Sequence, residues 1–415
     1  MIWRLRHPAH LPIPPSLRRL PSSLVRSFLA PPHPPPHFPF TVQTAARAFG
    51  AVALAALLTL PAASAPAWAG AAGRHHLLVV SQDGRPGTFA SVQAALDAVP
   101  PGSGPVTIRI EPGTYWGQIY VPASEPDVTL AGATGHPRDV VLVDDITHGT
   151  VAPNGNQYGT DCSATLSVAG NGFAAYGITV QNSFDPAANP QITFPQAVAV
   201  KTVADRVVFA RDRLLGIQDT VFASSYADPF TPAECFAPGG PPATSPPGST
   251  TPPPARQLYL DDYISGQVDF LCGSGTAVFD HDTIDILGHP GGTVSAPDTG
   301  LEQPYGYLIT HSRIINSPGN LAAASYFLGR PWRHTGVTNP VGQITIRDTY
   351  LPAAINPEQW QNWTSPPFRW QDARFYEYQN TGPGSAVNAG VPQLTAAQAA
   401  QYTVASYLGG WFPRL

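Results

Sequence analysis

The feature of this sequence that most constrains its fold is a short pattern that recurs six times. Each copy has a large apolar residue, then small or polar residues, and an isoleucine or leucine five positions on. The copies begin at Phe173, Phe209, Tyr259, Phe279, Ile309 and Ile346. Short strands recurring at intervals of this kind are typical of a stacked coil. We therefore predict an all-β chain that forms a right-handed parallel β-helix, with an antiparallel β-sandwich as the alternative.

Helical patterns are scarce and lie at the two ends of the repeats. Ser91 precedes an apolar-periodic run in residues 91–99, which predicts a helix that caps the N-terminal end of the coil. Residues 394–403 predict a second short helix. The Pro-rich stretch 229–256 reads as a loop insertion. We expect one β-helix domain over residues 70–415.

Residues 1–69 have the composition of an N-terminal extension with a secretory signal peptide. They contain six arginines and no acidic residue, and an apolar run at 49–60 precedes small-x-small sites that end at Ala65 and Ala69. The apolar run is short for a membrane span, which makes a membrane anchor the weaker alternative. We expect cleavage near Ala65 or Ala69 and an extracellular protein.

Charge and cysteine content narrow the classes of partner. Cleavage near Ala69 leaves 16 basic and 27 acidic residues, a net charge of −11, which disfavours nucleic-acid binding. We expect a monomer that does not associate with membranes after cleavage.

An exported chain with three cysteines can form one disulfide. We predict the pair Cys162–Cys235, because both lie in loop-like sequence, and a buried free thiol at Cys272.

Two carboxylates occur where a buried strand is expected. Asp219 lies in GIQDTVFA (216–223) and Asp269 in GQVDFLCG (266–273). Without the insertion they fall on neighbouring coils, and two close carboxylates separate in proton affinity. One then acts as an acid and the other as a base or nucleophile. The alternative is that each acid stacks in a polar ladder or caps a turn.

Neighbouring residues favour the chemical interpretation. Gln196 begins QAVAV and Gln218 directly precedes Asp219, and amides can donate to an oxyanion without titrating. FLGRPWR (327–333) supplies Arg330, which can orient a carboxylate, and Trp332, which can stack on a sugar ring.

Together with GTYWGQI (113–119) and FYEYQNTGPG (375–384), these motifs resemble the pectin methylesterases, most closely the secreted bacterial branch. The resemblance implies a β-helix with an open cleft that hydrolyses galacturonate methyl esters in pectin, without a metal or cofactor. It also implies roles: Asp269 as nucleophile, Asp219 as general acid and then base, Gln218 and Gln196 at the oxyanion, and Arg330 on the nucleophile. The expected substrate contacts are Trp332, Thr165, Lys201, Phe270 and Phe222. For Lys201 an exposed, solvated side chain is the alternative.

The sequence also departs from the family pattern. Some bacterial members have a disulfide in the coils around the nucleophile, where this chain has Asp262 and Asp282. Two other functions remain open at this point. A β-helix polysaccharide lyase would need a calcium site of clustered acids, and a pectin-binding protein would keep the cleft without turnover.

Overall fold

A computed structural model describes residues 76–100, 102–153, 155–225, 255–333 and 339–413. These residues lie within one compact unit, Trp68–Leu415. None of the helices in these ranges is long and apolar enough to cross a membrane. The predicted signal segment and most of the Pro-rich insertion lie outside the described residues.

The chain winds through three parallel sheets, as predicted for a right-handed parallel β-helix. Each coil runs from sheet A to sheet C and then to sheet B. Sheet A comprises His76–Val80, Val106–Ile110, Val128–Gly132, Ala174–Tyr176, Val207–Ala210, Arg256–Leu260, Thr276–Asp280, Tyr307–Thr310, Gln343–Arg347 and Arg374–Tyr378. Sheet B comprises Ile119–Val121, Leu166–Val168, Val200–Thr202, Val221–Ala223, Leu271–Gly273, Thr293–Pro297 and Phe327–Gly329. Sheet C comprises Gly113–Trp116, Val140–Asp144, Thr179–Asn182, Arg213–Leu215, Tyr263–Gly266, Thr283–Ile286 and Arg313–Ile315.

The recurring pattern corresponds to stacked positions inside the coil. Phe209, Tyr259, Phe279, Ile309 and Ile346 are consecutive register partners in sheet A. The rings of Tyr259 and Phe279 stack with centroids 4.7 Å apart, and all five side chains are fully buried. A continuous apolar stack of this kind removes large surfaces from water and holds adjacent coils together.

The first copy of the pattern was placed two residues too early. Phe209 pairs with Ala175, and Leu214 pairs with Val180, whereas the sequence predicted Phe173 and Ile178 at these positions. Ala175 is too small to fill the stack. The ring of Phe173 packs against Phe209 instead, with centroids 5.6 Å apart.

The terminal helices are confirmed, with shorter bounds. The first spans Val92–Asp97, and the hydroxyl of Ser91 accepts the N–H of Ala94 as an N-cap. The second prediction, over residues 394–403, corresponds to the helix Ala396–Ala399, and a further helix that was not predicted follows at Val404–Tyr407. The chain breaks between them because the hydroxyl of Thr403 caps a new helix by accepting the N–H of Ser406. Remaining elements are 3-10 turns at Asp161–Ser163, Trp370–Asp372 and Pro383–Ser385 and an antiparallel pair, Trp363–Thr364 with Pro367–Phe368.

The insertion and the cysteines are partly described. Arg256 already lies in a strand of sheet A, so the insertion ends sooner than the predicted position 256. Cys162 is disulfide-bonded, and Cys272 is a buried free thiol, as predicted. Cys235, the predicted partner of Cys162, lies outside the described residues.

A ladder of three buried aspartates runs along the turns from sheet A to sheet C. The N–H of Asp212 donates to Asp262 and the N–H of Asp262 donates to Asp282, each over 2.7 Å. The N–H of Ile178 donates to Asp212 over 2.8 Å. Burial raises the pKa of Asp212 to about 8 and raises the pKa values of Asp262 and Asp282 well above their usual range. Hydrogen bonding between coils therefore occupies the positions of Asp262 and Asp282, to which the family resemblance had drawn attention.

Candidate active site

The two predicted catalytic carboxylates are neighbours across adjacent coils. Gln218 bridges to Val268 and Val221 pairs with Leu271, which places Asp219 beside Asp269 where sheet C turns into sheet B. Adjacent parallel strands lie about 4.8 Å apart. Both aspartates have left-handed backbone conformations, with φ of 60° and 49°. Such conformations are uncommon outside glycine and cluster at functional sites.

The ladder of the coil holds this backbone in place. The N–H of Asp219 donates to the carbonyl of Val268 over 3.2 Å, and the N–H of Asp269 donates to the carbonyl of Thr293 over 2.8 Å. The two residues are only 8% and 4% exposed. The carboxylates are therefore positioned by the fold and largely removed from water.

Arg330 and Thr293 fix the carboxylate of Asp269. The Nε atom of Arg330 lies 3.0 and 3.2 Å from the two carboxylate oxygens, and Nη2 lies 2.5 Å from Oδ2. The hydroxyl of Thr293 donates a short hydrogen bond to Oδ1. The guanidinium itself stacks on Trp363, 4.4 Å from the ring centroid. A bidentate arginine contact of this kind sets both the charge and the orientation of a carboxylate.

Asp219 has the opposite electrostatic environment. Burial raises its pKa well above the usual range, the negative charge of Asp269 adds to this effect, and Arg330 opposes it. Asp219 therefore retains a proton at pH values where ordinary carboxyl groups are ionised. The pair thus consists of a proton-bearing acid beside a carboxylate held by arginine, which is the division of roles expected for covalent ester hydrolysis.

The two predicted glutamines stand beside this pair. The N–H of Ala197 donates to the carbonyl of Gln218 over 3.1 Å, which brings the chain after Gln196 against the coil of Asp219. The side-chain oxygen of Gln196 is buried, and it has no hydrogen-bond partner among the described residues. Since buried polar atoms are almost always paired, this oxygen is available to accept a hydrogen bond from a ligand.

Three of the predicted substrate contacts lie behind the surface of the site. Thr165, Phe270 and Phe222 are fully buried, and the hydroxyl of Thr165 donates to the carbonyl of Gln181 over 2.9 Å. The prediction that these side chains touch substrate is corrected to a supporting role. Trp332 is half-buried, and its ring packs against Phe222 with centroids 5.8 Å apart. Of the five predicted contacts, Trp332 is therefore the one whose side chain is not fully buried.

Lys201 also differs from its prediction. Its side chain is 2% exposed, its ammonium group forms a short ion pair with Asp161, and it lies 4.7 Å from the ring centroid of Phe222. Because Asp161 neutralises the charge of the ammonium group, neither a substrate carboxylate nor bulk water is needed as its partner. The side chain instead anchors Asp161 against sheet B.

Sequence reasoning missed Thr293, Trp363 and Asp161. Thr293 begins the strand of sheet B that follows the coil of Asp269, and only the coil register identifies its contact with the carboxylate. Trp363 follows Arg330 by more than thirty residues, and no motif of the sequence joins the two.

The fold and the site define a class of protein: a parallel β-helix hydrolase with a paired-carboxylate centre. Comparison with known proteins gives the family. A family model described as Pectinesterase matches residues 77–236 and 253–411. Pectinesterase A of Dickeya chrysanthemi is 31% identical over 367 residues, covering 81% of this chain and 90% of its own length.

Solved structures agree with this match. The pectin methylesterase from Erwinia chrysanthemi superposes with a TM-score of 0.69 at 30% identity, covering 81% of this chain and 98% of its own. A pectin methylesterase in complex with a hexasaccharide gives a TM-score of 0.70 at 30% identity, with the same coverage. The chain belongs to the pectinesterase family and is a carboxylic ester hydrolase.

Proposed function

We propose that Asp269 and Asp219 carry out the hydrolysis of galacturonate methyl esters in pectin by this chain. In the first step an oxygen of Asp269 attacks the ester carbonyl carbon, and negative charge develops on the carbonyl oxygen. Gln218 and Gln196 donate to that oxygen. The methoxy group then leaves as methanol, taking the proton of Asp219.

The second step returns the site to its starting state. Asp219, now ionised, removes a proton from water, and the resulting hydroxide attacks the anhydride formed between Asp269 and the substrate. The products are galacturonic acid, which releases its proton to the solvent, and the restored carboxylate of Asp269, and Asp219 is again protonated. No other reactant is needed for the balance.

The observation that carries this proposal is the contrast between the two acids. Arg330 binds both oxygens of Asp269, whereas burial and the charge of Asp269 raise the pKa of Asp219. A nucleophile must be ionised, and a proton donor must not be, so the two environments match the two roles.

The family match supports an inference about the substrate, and the sequence of residues 1–69 supports one about the location of the enzyme. Because a solved pectin methylesterase binds a hexasaccharide, we infer that this chain also takes an oligomeric stretch of pectin. Trp332 is suited to stack on one of its sugar rings. The signal-peptide composition of residues 1–69 supports export, and we expect the exported protein to act as a monomer.

The test is methanol release from highly methylated pectin, with EDTA present, by wild type and Asp269→Ala. We expect methanol from wild type and none from the variant. Absorbance of unsaturated uronate is followed in parallel samples that contain Ca²⁺ in place of EDTA, because a calcium-dependent lyase would produce it there and an esterase would not. Calcium-dependent unsaturated product without methanol would establish the lyase alternative, and binding without either product would establish a pectin-binding protein.

A further inference from the structure

The turns from sheet A to sheet C carry a column of exposed side chains on left-handed backbone. His281 and His311 occupy this column in adjacent coils, with φ of 61° and 48°. Their positions follow from the register of sheet A, in which Asp280 pairs with Thr310. The N–H of His281 donates to the carbonyl of Thr310 over 3.2 Å. The backbone that carries both imidazoles is therefore set by the coil.

The two imidazoles converge on one carboxylate. The Nδ1 atoms of His281 and His311 each lie 2.9 Å from the same oxygen, Oδ1 of Asp280. The rings stack with centroids 5.0 Å apart, and the hydroxyl of Thr310 lies 3.3 Å from Nδ1 of His311. The histidine side chains are 56% and 51% exposed, so the group is open to solvent.

We propose that Asp280, His281 and His311 form a binding site for a divalent transition-metal ion of the Zn²⁺ type. Across the described parts of the chain, this is the one group of three metal-ligating side chains whose donor atoms lie within 4.8 Å of one another. Two imidazoles and a carboxylate suit Zn²⁺, Cu²⁺ and Ni²⁺. In the bound state each donor atom would lie about 2.0–2.2 Å from the ion. A fourth position would hold water.

The site is separate from ester hydrolysis. It lies where sheet A turns into sheet C, whereas Asp219 and Asp269 lie where sheet C turns into sheet B. Its ligands come from two adjacent coils, so a bound ion would join those coils and stabilise the folded state by mass action.

The experiment is Zn²⁺ titration of the full chain by calorimetry at pH 7.5, in wild type and in His281→Gln/His311→Gln. A matched control, His136→Gln/His289→Gln, removes two exposed histidines that lie outside the cluster. We expect wild type and control to bind one more equivalent of Zn²⁺ than the cluster variant. Asp280→Asn should lower the affinity for this additional Zn²⁺ ion by about ten-fold or more, since changing residues that only hydrogen-bond to the ligands of a metal already has effects of that size. The melting temperature should rise with Zn²⁺ in wild type and control only.

Equal stoichiometry and affinity in wild type and the cluster variant would overturn the proposal, as would the absence of any Zn²⁺ binding in wild type. In either case the three side chains form only a hydrogen-bonded turn. Methanol release should be the same in wild type, cluster variant and control, so this result does not depend on the proposed esterase mechanism.

Discussion

Two sets of stacked aspartates run through the same coils, seven residues apart in the sequence. Asp212 and Asp262 belong to the inter-coil ladder, and Asp219 and Asp269 form the carboxylate pair. Burial raises the pKa of Asp212 to about 8 and raises that of Asp219 well above its usual range. A raised pKa therefore does not by itself distinguish a catalytic acid from a structural one.

The partners of the carboxylates make the distinction. In the ladder, the aspartate oxygens accept N–H groups of the adjacent coil, so each acid is tied to the backbone. In the pair, Asp269 is held by Arg330, and the side-chain oxygen of Gln196, on the coil next to Asp219, has no hydrogen-bond partner among the described residues. The ladder carboxylates thus have backbone partners, whereas Asp269 has a charged side-chain partner. Burial is similar in the two sets, so the hydrogen-bond partners of each aspartate distinguish the proposed catalytic pair from the structural ladder.

The largest expected effect concerns the proton donor. Asp219→Asn should lower kcat by about 10³–10⁴-fold, because a positioned general acid contributes up to that amount. In wild type, kcat should fall as pH rises through the raised pKa of Asp219, since the ionised form cannot protonate the departing methoxy group. Stopped assays of methanol release from pH 4 to pH 10 measure both. A pH profile for Asp219→Asn that retains the same alkaline decrease would remove Asp219 from the mechanism.

Arg330→Ala should lower kcat by about 10³-fold, because it removes the group that orients Asp269. It should also move the alkaline decrease to higher pH, since Arg330 lowers the pKa of Asp219. Arg330→Lys should restore little, as lysine cannot bind both oxygens in the same plane. As a control, Arg313→Ala changes an exposed arginine of sheet C and should leave kcat unchanged. An unshifted pH profile in Arg330→Ala would contradict the electrostatic account.

Gln218→Ala should lower kcat by about 10²-fold with little change in KM, the pattern for a donor used mainly at the oxyanion. Gln181→Ala serves as the matched control, because Gln181 lies one coil away and lines a different pocket, with Arg213 and Tyr263. A rise in KM at constant kcat would assign Gln218 to substrate binding instead.

Changes in the aspartate ladder should alter the pH dependence of the free energy of unfolding. The pKa of Asp262 is raised in the folded protein, so above about pH 4 the folded protein keeps a proton on Asp262 that the unfolded chain releases. The stability that this bound proton provides is lost as the pH rises through the pKa of Asp262 in the folded protein. Asp262→Asn should therefore lose less stability than wild type between pH 5 and pH 8.5, by on the order of 1 kcal/mol. Melting temperatures at the two pH values test this, with the exposed Asp261→Asn as control. Parallel curves for wild type and Asp262→Asn would argue against a protonated ladder.

The sequence was sufficient to predict the fold and the pairing of the two carboxylates. Periodicity predicted the coil, and strand-embedded acids with glutamines and an arginine predicted the pair. The misplacement at Phe173 arose because Ala175 occupies a stack position at which the pattern expects a large side chain. The resemblance marked Asp262 as the place of a missing disulfide, and sequence gave no sign of its hydrogen bonds to the next coil.

Other features depend on register between distant residues. His281 and His311 are thirty residues apart, and only the pairing of Asp280 with Thr310 brings them together. The burial of Lys201 follows from its pairing with Asp161, forty residues earlier. Such contacts have no local signal in a single sequence.

The most direct test of the central claim compares Asp269→Asn with Asp262→Asn, which make the same change in adjacent turns of one coil. Methanol release from highly methylated pectin is measured at pH 6, after circular dichroism has shown that both variants are folded. We predict that Asp269→Asn loses turnover by at least about 10³-fold, as for other nucleophiles, and that Asp262→Asn keeps a kcat near that of wild type. Comparable turnover in the two variants would contradict the assignment of catalysis to the Asp219–Asp269 pair.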